Sequence, residues 1–532
     1  MITKVVIQGY RKFRQFTIEP DPAMNIIIGD NEAGKSTLLE AITLALSGRI
    51  DGRWANEELN PYWFNVDDVS EYLAAYANNP RTPAPRIEIE LYFDCPDPDI
   101  QRMRGIHNSL HIDCPGIKLT VARNPDFDEE FAAYMADPDR PDVLPTEYFE
   151  ATWKDFSDLP VRRRPSALGV SVIDSRTIRS KAGVDYHTRE ILDSFLDPTE
   201  RASISVAHRK SRHEMTRSVL NGLNEKVREG FEALHDAPLG LTMDQSARAS
   251  WEAGVVPQVD DVPFAMAGQG QQASIKVALA MKRRAHSART VLIEEPETHL
   301  AYSRLQRLLN RVEDLAGESQ QLFVTTHSSF VLNRLGLNKL ICLHGDTSSR
   351  LTELEAATVL YFKHLSGYDT LRLVLATRLV LVEGPSDEMI FKRGYRDRFN
   401  KTPESDGIDV ISMNGITFKR ALELCARLNR DVVALQDNDG TSVAEILGEL
   451  SDYLSDHRQM YVGEPALGKT LEPQLIKANS VDKMRTILRL RKQDDPETWM
   501  PNHKTEGALR ILESPEAVAM PAYIKRAIEH FA

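Results

Sequence analysis

A glycine-rich loop between an apolar strand and a helix limits the fold of this chain more than any other segment. Asparagine and three isoleucines occupy positions 25–28, and Gly29 to Thr37 then reads GDNEAGKST, which satisfies G-x-x-x-x-G-K-[ST]. Apolar residues recur on one face from Leu38 to Leu46, as expected of a helix. The sequence therefore predicts a phosphate-binding P-loop in its usual setting, with a strand before it and a helix after it.

This loop predicts which groups hold a nucleotide. Its backbone N–H groups lie at a helix N-terminus, where the helix dipole favours an anion. Lys35 is expected to reach the β- and γ-phosphates of ATP, and Ser36 to bind magnesium. Asn31, Gly34 and Thr37 complete the predicted nucleotide-binding loop.

Three later segments supply the partners that a P-loop ATPase needs. An apolar strand ends in Glu294 and Glu295, which we expect to lie near magnesium and near the attacking water, respectively. Residues 267–272 are rich in Gly and Gln and open an amphipathic helix, where Gln271 is expected to meet a γ-phosphate from a second subunit. His327 ends another apolar strand, where it would sense the γ-phosphate. Each segment alone is more often structural, but their order together indicates an ATPase.

The order of these motifs resembles the ABC, SMC and RecF class of ATPases. The segment VVIQGYRKFRQFTIEP (residues 5–20) is similar to the first hairpin of that class. The resemblance implies that two ATP-binding heads meet across the nucleotide. The interval between the P-loop and the Gln-rich segment is too short for the long coiled-coil arms of SMC proteins.

Two kinds of segment fill that interval. Residues 124–145 are rich in Pro and Asp, which predicts loops, whereas residues 186–235 carry apolar residues at roughly helical spacing. The helical stretch is either an ordinary lobe of the ATPase or an insertion for dimerisation, and we favour the insertion. Because closed symmetric assemblies are the commonest oligomers, we expect a homodimer or homotetramer.

A second domain begins near residue 369 and alternates strands with helices. The predicted strands are 379–382, 408–412 and 432–435. This alternation predicts a parallel sheet with its site at the carboxyl ends of the strands. Glu383 would there meet Asp437 and Asp439, whose spacing puts both side chains on one side of an extended chain.

Clustered carboxylates repel one another unless cations lie between them, and such oxygen ligands suit Mg²⁺ or Mn²⁺. The net charge of −13 argues against a protein that coats DNA. It does not exclude a nuclease, which needs acids to hold metals and only a local basic surface to hold DNA. Basic segments are present at 162–164, 209–212, 282–284 and 392–398.

The Glu-Gly and Asp-x-Asp pattern of this second domain resembles a Toprim domain. A Toprim domain after an ABC-type ATPase resembles the OLD (overcoming lysogenization defect) family of nucleases. By this resemblance Glu383 and Asp387 form the first acidic pair. Thr470-Leu471-Glu472 matches a later family motif, Lys504 is the best match to a catalytic lysine near the C-terminus, and Lys469 is the alternative.

The resemblance implies a DNA endonuclease with a two-metal mechanism, in which Lys504 steadies charge on the transferring phosphate. The implied metal ligands or general base are Glu383, Asp387, Asp437, Asp439 and Glu472. Family members include the nuclease subunit of the Gabija anti-phage system, which works with a separately encoded helicase-like partner, so a bacterial defence role is implied. The alternative is a RecF- or SMC-like DNA-binding ATPase in repair whose Toprim domain is inactive.

The sequence thus predicts an α/β protein with an N-terminal ABC/SMC/RecF-like ATPase and a C-terminal Toprim domain containing a parallel sheet. We place the two ATPase parts at 1–185 and 246–368, the helical insertion at 186–245, and the Toprim domain at 369–532. The chain has no apolar run long enough to span a bilayer and no secretory leader. Its four cysteines are scattered, as in proteins of a reducing compartment. We therefore expect a cytoplasmic protein without membrane contact.

Overall fold

The computed structural model describes most of the 532-residue chain. The residues outside the description are 51–52, 163–164, 166–167, 175–195, 232–239, 245–250, 252–254, 257, 260, 269–270, 272–288, 299, 316–319, 352–353, 365–369, 415–416 and 532. The basic segment 282–284 and the helix expected after the Gln-rich segment lie among them and stay predictions.

The strands are short and mostly buried. In chain order they are β1 (Ile2–Tyr10), β2 (Phe13–Ile18), β3 (Met24–Ile28), β4 (Arg49–Ile50), β5 (Arg53–Trp54), β6 (Ile87–Phe93), β7 (Arg104–Gly105), β8 (Cys114–Arg123), β9 (Phe149–Asp155), β10 (Val170–Asp174), β11 (Gln258–Val259), β12 (Val262–Pro263), β13 (Thr290–Glu294), β14 (Gln321–Thr325), β15 (Leu340–His344), β16 (Thr347–Arg350), β17 (Arg378–Val382), β18 (Ile408–Ser412), β19 (Asp431–Gln436) and β20 (Arg458–Val462).

The described residues form eighteen α-helices. In chain order they are α1 (Lys35–Ser47), α2 (Val66–Asn78), α3 (Pro98–Gln101), α4 (Asp128–Ala136), α5 (Pro198–Ser218), α6 (Asn221–Phe231), α7 (Tyr302–Leu315), α8 (Ser329–Leu335), α9 (Ala356–His364), α10 (Thr370–Leu375), α11 (Pro385–Phe399), α12 (Phe418–Arg427), α13 (Val443–Glu449), α14 (Leu471–Asn479), α15 (Val481–Ile487), α16 (Pro496–Asn502), α17 (Lys504–Glu513) and α18 (Ala522–Glu529).

The chain divides into two compact units. The first consists of Met1–Met24 and Ser36–Thr325, and the second of Asn25–Lys35 and Thr326–Ala532. The border between Thr325 and Thr326 follows compactness, whereas the predicted domain limits follow motifs. Those limits therefore stay predictions.

The first unit contains an antiparallel sheet in the order β2, β1, β6, β8 and β7, with β9 paired to β8. All seven residues of β6 are buried, as expected of a strand covered on both faces. Three further strands of this unit, β10, β13 and β14, pair in parallel, with Leu292 opposite Val172 and Phe323. The strands predicted before Glu295 and before Thr326 are thus confirmed.

Helix α4 corrects one sequence prediction, because residues 124–145 were expected to form loops. Phe131 and Met135, one turn apart, are both buried, and the first turn carries three consecutive acids at 128–130. Acidic residues near a helix N-terminus interact favourably with the helix dipole. The helical spacing of buried residues outweighed the loop-forming composition of the segment.

Helices α5 and α6 confirm helical structure in the described part of the stretch predicted at 186–235. Asp197 opens α5 with a capping box, in which its side chain accepts backbone N–H groups and the third helical residue bonds back. Several apolar side chains are exposed on these helices, including Val206, Met215 and Leu223. The two helices therefore present apolar groups that the described residues of this chain leave accessible.

The second unit contains two groups of strands. β3 pairs in parallel with β15, which pairs antiparallel with β16. The other group is a four-stranded sheet in the order β18, β17, β19 and β20, and every pairing in it is parallel. Its central strand β17 aligns Val380 with Val410 and Val433. The predicted parallel sheet is confirmed.

Helices cover this parallel sheet and form its core. Phe391 of α11, Leu475 of α14 and Ile528 of α18 belong to one buried cluster with Val380 and Val433. Because the strands are parallel, their carboxyl ends lie together at one edge. The loops that follow β17 and β19 therefore start from neighbouring positions.

Arg393 is a buried cation on α11 that anchors α17. Its guanidinium donates to the carbonyl oxygens of Ile511, Ser514 and Glu516 at 2.6, 2.7 and 2.7 Å, and it pairs with Asp397 at 2.7 Å. The last carbonyl groups of a helix lack partners within the helix. Arg393 donates to such carbonyl groups here and so holds the C-terminal end of the helix that begins at Lys504.

No helix in the described part of the chain combines the length and the apolar character needed to cross a bilayer.

Candidate functional site

The first acidic position follows the central strand of the parallel sheet. β17 ends at the buried Val382, and Glu383 leads through Gly384 into α11. The backbone N–H of Gly384 donates to Asp387 Oδ2 at 3.2 Å, so Asp387 caps the start of its own helix. The strand end and the helix start thus bring both carboxylates to one turn.

The second acidic position follows the neighbouring strand β19. The backbone N–H of Asp437 donates to Glu383 Oε1 at 2.8 Å, which ties the two loops together. Asp437 Oδ2 accepts the backbone N–H of Leu471 at 3.1 Å. Asp437 is 8% exposed, so its carboxylate is largely removed from solvent.

Asp439 differs from the extended geometry predicted for it. β19 ends at Gln436, and Asp439 has a φ of +46°, in the left-handed region. Asp439 is exposed whereas Asp437 is buried, so the two side chains do not share one face of an extended strand. Repulsion from Asp439 still contributes to the environment of Glu383, which places it at the margin of the site.

Asn438 explains this change of direction. Its side-chain nitrogen donates to the carbonyl oxygens of Gly463 and Gly468 at 3.1 and 2.7 Å, and its oxygen accepts the N–H of Gly440. The amide therefore joins the loop after β19 to the loops after β20. Sequence reasoning treated Asn438 only as a spacer, because neither its burial nor its contacts with Gly463 and Gly468 can be read from the sequence.

The third acidic position lies at the start of α14. Glu472 is 4% exposed and accepts the Thr470 hydroxyl at 2.7 Å. Lys504, at the start of α17, places its ammonium 3.3 Å from Glu472 Oε1. The predicted Thr-x-Glu motif and the predicted lysine thus meet in the structure.

Lys469 lies against the turn after β19 instead. Its carbonyl oxygen accepts the N–H of Asp439 at 3.1 Å, and a Cβ built on Gly440 would lie 3.3 Å from its Cε. Both candidate lysines are therefore close to acidic loops. Only Lys504 forms an ion pair with a predicted acidic residue among the described contacts.

We call Glu383, Asp387, Asp437 and Glu472 the acid cluster. Burial raises the pKa of Asp437 to about 8, and repulsion from the other three members adds to the shift. Burial raises the pKa of Glu383 to about 7, with further repulsion from Asp387. Burial also raises the pKa of Asp387 to about 6, with repulsion from Glu472. In the absence of a cation, the cluster therefore holds protons near neutral pH.

The donor set fits a divalent cation. Asp437 Oδ1 is buried and has no hydrogen-bond partner among the described residues. Carboxylate oxygens are the ligands that Mg²⁺ and Mn²⁺ prefer, and a cation would relieve the repulsion that raises these pKa values. No group of three His, Cys, Asp or Glu side chains in the described residues is arranged to hold an ion as it stands. Binding would therefore require side-chain rotation that draws the carboxylates together.

Tyr523 is a further residue at this site that sequence reasoning missed. It lies on α18, is 2% exposed, and interacts electrostatically with all four carboxylates of the acid cluster. No motif marks it, because α18 reaches the site through packing between segments distant in sequence.

The predicted nucleotide-binding residues divide between the two units. In the second unit, the Lys35 ammonium donates to the carbonyl oxygens of Gly29 and Asp30, both at 2.9 Å. Gly34 has a φ of +97°, a conformation that favours glycine. Asn31 on the same loop is exposed. The loop therefore has the turned backbone that a P-loop requires.

In the first unit, the Ser36 hydroxyl donates to Glu294 Oε1, and Thr37 beside it is half-buried. The backbone N–H of Glu295 donates to the Thr325 carbonyl oxygen at 3.0 Å, and Glu295 has a φ of +43°. The predicted magnesium-binding serine and the first acid of the Glu-Glu pair are thus in contact.

The two remaining predicted nucleotide contacts are described in part. The backbone N–H of Gln271 donates to the Gly268 carbonyl oxygen at 2.8 Å, while residues 269–270 and 272 lie outside the described residues. His327 is exposed two residues after β14 ends. Their roles toward ATP stay predictions.

Comparison with family models identifies three segments. Residues 374–439 match the family described as "Overcoming lysogenization defect protein-like, TOPRIM domain". Residues 4–82 match "AAA domain", and residues 254–333 match "AAA domain, putative AbiEii toxin, Type IV TA system". The predicted order, a P-loop ATPase followed by an OLD-like Toprim domain, is confirmed by these matches. Domains of these two kinds generally use a nucleotide and a divalent metal ion.

Solved structures show more distant likenesses. The C-terminal region of the Xanthomonas campestris pv. campestris OLD protein is 21% identical, covering 29% of this chain and 94% of that chain, with a TM-score of 0.23. The corresponding region from Burkholderia pseudomallei is 19% identical over 30% and 97%, with a TM-score of 0.25. The SMC head domain from Thermotoga maritima is 13% identical over 66% and 99%, with a TM-score of 0.30. A comparison with curated proteins found no match.

Proposed function

We propose that this protein is an ATP-binding, divalent-metal-dependent DNA endonuclease. The observation that carries the proposal is the acid cluster, which gathers buried and half-buried carboxylates from three segments near one sheet edge and raises the pKa of Glu383, Asp387 and Asp437. Such a cluster is unfavourable for stability without a cation, so its presence supports metal binding. The match of residues 374–439 to an OLD-like Toprim domain supports phosphodiester cleavage.

Each residue has a distinct task in the proposed mechanism. Glu383, Asp387, Asp437 and Glu472 would hold Mg²⁺ or Mn²⁺, and the exposed Asp439 would contribute from the margin. When bound, the ions supply the Lewis acidity that stabilises the attacking and leaving oxygens of a phosphodiester. Lys504, half-exposed beside Glu472, would place its positive charge on the transferring phosphate.

The ATPase segments would control this reaction through ATP binding. The contact between Ser36 and Glu294 supports a shared magnesium site. The carbonyl oxygens that Lys35 now contacts would give way to phosphate oxygens of ATP, which attract its ammonium more strongly. Glu295, Gln271 and His327 would complete the site as predicted.

We further propose that the protein assembles as a homodimer or homotetramer. The exposed apolar side chains of α5 and α6 support an assembly through these helices, since the free energy falls when a partner covers apolar groups. Light scattering with and without ATP tests this, and a strict monomer at micromolar concentration would contradict it.

An anti-phage role, with or without a helicase-like partner, extends the proposal from the resemblance to OLD-family nucleases. Expression in a phage-sensitive host should lower the plating efficiency of some phages, and the Asp437→Asn variant should restore it. Equal plating on both strains for a broad phage panel would contradict this extension.

A second candidate is a RecF- or SMC-like DNA-binding ATPase with an inactive Toprim domain. It is favoured by the arrangement of the acid cluster, which does not form a ready metal site among the described residues. Incubation of plasmid DNA with the purified protein and Mg²⁺ or Mn²⁺ distinguishes the two candidates. Cleavage abolished by EDTA supports the nuclease, and intact DNA bound by the protein supports the alternative.

A further inference from the structure

A turn that carries three positive charges follows helix α15. Leu488 is fully buried and Leu490 packs against the core of the parallel sheet, so both hold the turn to the protein. The three exposed residues of the turn are Arg489, Arg491 and Lys492, which we call the basic turn. The burial pattern therefore exposes three cations on one short segment.

The basic turn has no acidic partner among the described residues. The acids beside it in sequence have other contacts. Asp482 pairs with Arg485 at 2.6 Å, Asp494 accepts the backbone N–H of Arg491 at 3.2 Å, and the Asp495 side chain caps the start of α16. In a chain with a net charge of −13, these three cations are available to an external anion.

The backbone of Arg489 supports a role outside the core. Its φ is +53°, in the left-handed region that favours glycine. The backbone N–H groups of Arg489 and Leu490 donate to the carbonyl oxygens of Thr486 and Arg485 at 3.1 and 3.0 Å, an arrangement in which helices commonly end with glycine. Arginine is less favourable than glycine here, and its exposed side chain has no compensating contact among the described residues.

Helix α17 connects the basic turn with the acid cluster. Arg510, in the last turn of this helix, donates to the Leu488 carbonyl oxygen at 2.7 Å. Lys504, at its start, lies 3.3 Å from Glu472 of the acid cluster. The two ends of this connection are about 9 Å apart along the helix axis. That distance is about three nucleotides of one DNA strand, at about 3.4 Å each.

Trp499 of α16 holds the same arrangement together. Its ring stacks on His503 with ring centres 4.4 Å apart, and the guanidinium carbon of Arg510 lies 4.9 Å from the Trp499 ring centre. His503 Nδ1 donates to the Trp499 carbonyl oxygen at 3.0 Å. Because His503 directly precedes Lys504, these contacts fix the start of α17 relative to the basic turn.

We propose that the basic turn binds the phosphate backbone of DNA beside the nuclease site. This inference rests on the proposed function, because it takes the acid cluster as the place where DNA is cut. Lys504 would contact the phosphate at the acid cluster, and the basic turn would contact phosphates about three nucleotides away. Contacts of this kind position DNA without reading its sequence.

The test compares two double variants that each remove two positive charges. Arg491→Ala/Lys492→Ala removes most of the basic turn. The control is Arg398→Ala/Lys401→Ala, because both residues are exposed at or just after the far end of α11, about 20 Å from the end that carries an acid-cluster residue. Fluorescence anisotropy of a labelled duplex gives the DNA affinity of the full chain over a series of salt concentrations. EDTA prevents cleavage, and a parallel series in Ca²⁺ supplies a cation to the acid cluster.

At 0.1 M salt, Arg491→Ala/Lys492→Ala should bind DNA about tenfold more weakly than wild type. Its plot of log affinity against log salt should be shallower by about two, because each neutralised phosphate contributes about 0.9 to the slope. The control should keep the wild-type affinity and slope. Arg489→Gly should also weaken DNA binding without lowering the melting temperature, because glycine adopts the left-handed conformation without strain. A role in folding alone would not produce that combination.

Three results would overturn the proposal: affinity of Arg491→Ala/Lys492→Ala within twofold of wild type, an equal loss in the control, or no DNA binding by wild type in either EDTA or Ca²⁺. A protein that binds DNA through the basic turn but leaves plasmid intact in Mg²⁺ and Mn²⁺ contradicts the nuclease proposal alone. If the protein cuts DNA, Arg491→Ala/Lys492→Ala should raise KM and keep kcat near the wild-type value, since the basic turn contributes to binding and not to the chemical step.

Discussion

At the scale of single residues, the carboxylate of Asp437 is held on one side only. Leu471 donates a backbone N–H to one oxygen, while the other oxygen is buried without a partner among the described residues. Glu383 and Asp387 each also accept one backbone N–H. The backbone thus fixes where these carboxylates lie, and a cation would supply the interaction that the second oxygen of Asp437 lacks among the described residues.

The pH dependence of stability follows from these residues. The pKa values of Glu383, Asp387 and Asp437 rise to about 7, 6 and 8, above the values of about 4 expected in the unfolded chain. Between pH 4 and about pH 8, these three carboxyl groups therefore bind more protons in the folded protein than in the unfolded chain. Their contribution to the free energy of unfolding is present at low pH and is lost as the pH rises to about 8. Melting temperatures in EDTA should show this fall, and Asp437→Asn should reduce it.

Cation binding should have the opposite dependence, because a metal ion displaces those protons. Mn²⁺ affinity measured by calorimetry should therefore rise between pH 6 and pH 8. Affinity that is constant over this range would show that the raised pKa values do not belong to metal ligands.

Lys504 gives a second prediction at this scale. Lys504→Ala should lower the cleavage rate about 100-fold, because a cation aimed at the transferring phosphate stabilises the transition state. The matched control is Lys469→Ala, since Lys469 lies against the turn after β19 without an ion pair to the acid cluster among the described contacts. Gel-based rates decide between them, and a larger loss in the Lys469 variant would reverse the assignment.

At the scale of helices and strands, the sheet was predictable and the packing of its helices was not. β17 and β19 are buried apolar runs that end in polar loops, and the structure places them within one residue of the prediction. Helix α4 was missed because its composition resembles a loop. Tyr523 and Asn438 could not be assigned because the segments beside them are distant in sequence, and the direction of Asp439 depended on a left-handed turn.

Arg393 provides a stability test at this scale. Arg393→Ala removes the donor to four carbonyl oxygens at and just after the end of α17 and leaves them without that partner, so the free energy of unfolding should fall by about 2–4 kcal/mol. Arg396→Ala is the control, because Arg396 is exposed and bonds only the Leu512 carbonyl among the described contacts at the same helix end. Urea unfolding should show little change for Arg396→Ala, and equal effects in both variants would contradict the anchoring role of Arg393.

At the scale of the whole molecule, the chain combines ATPase segments with an OLD-like Toprim segment. A mutation should be able to impair ATP binding without impairing metal binding, because Lys35 is not a member of the acid cluster. Lys35→Ala should weaken ATP binding about 10- to 100-fold, since hydrogen bonds to charged groups contribute about 1.5–3 kcal/mol. Its Mn²⁺ affinity should equal that of wild type. Unchanged ATP affinity by fluorescent-nucleotide titration would contradict the P-loop assignment.

The central claim is that the acid cluster cuts DNA, and the rate of plasmid cleavage by Asp437→Asn tests it most directly. Asn keeps the size of the side chain and removes its charge, so folding should survive. Cleavage in Mg²⁺ or Mn²⁺ should fall by about three orders of magnitude or more, because each 1.4 kcal/mol of lost transition-state stabilisation is about tenfold in rate. Glu383→Gln should behave alike, whereas Asp406→Asn, outside the cluster, should cut at the wild-type rate. Near wild-type cleavage by both Asp437→Asn and Glu383→Gln would contradict the account.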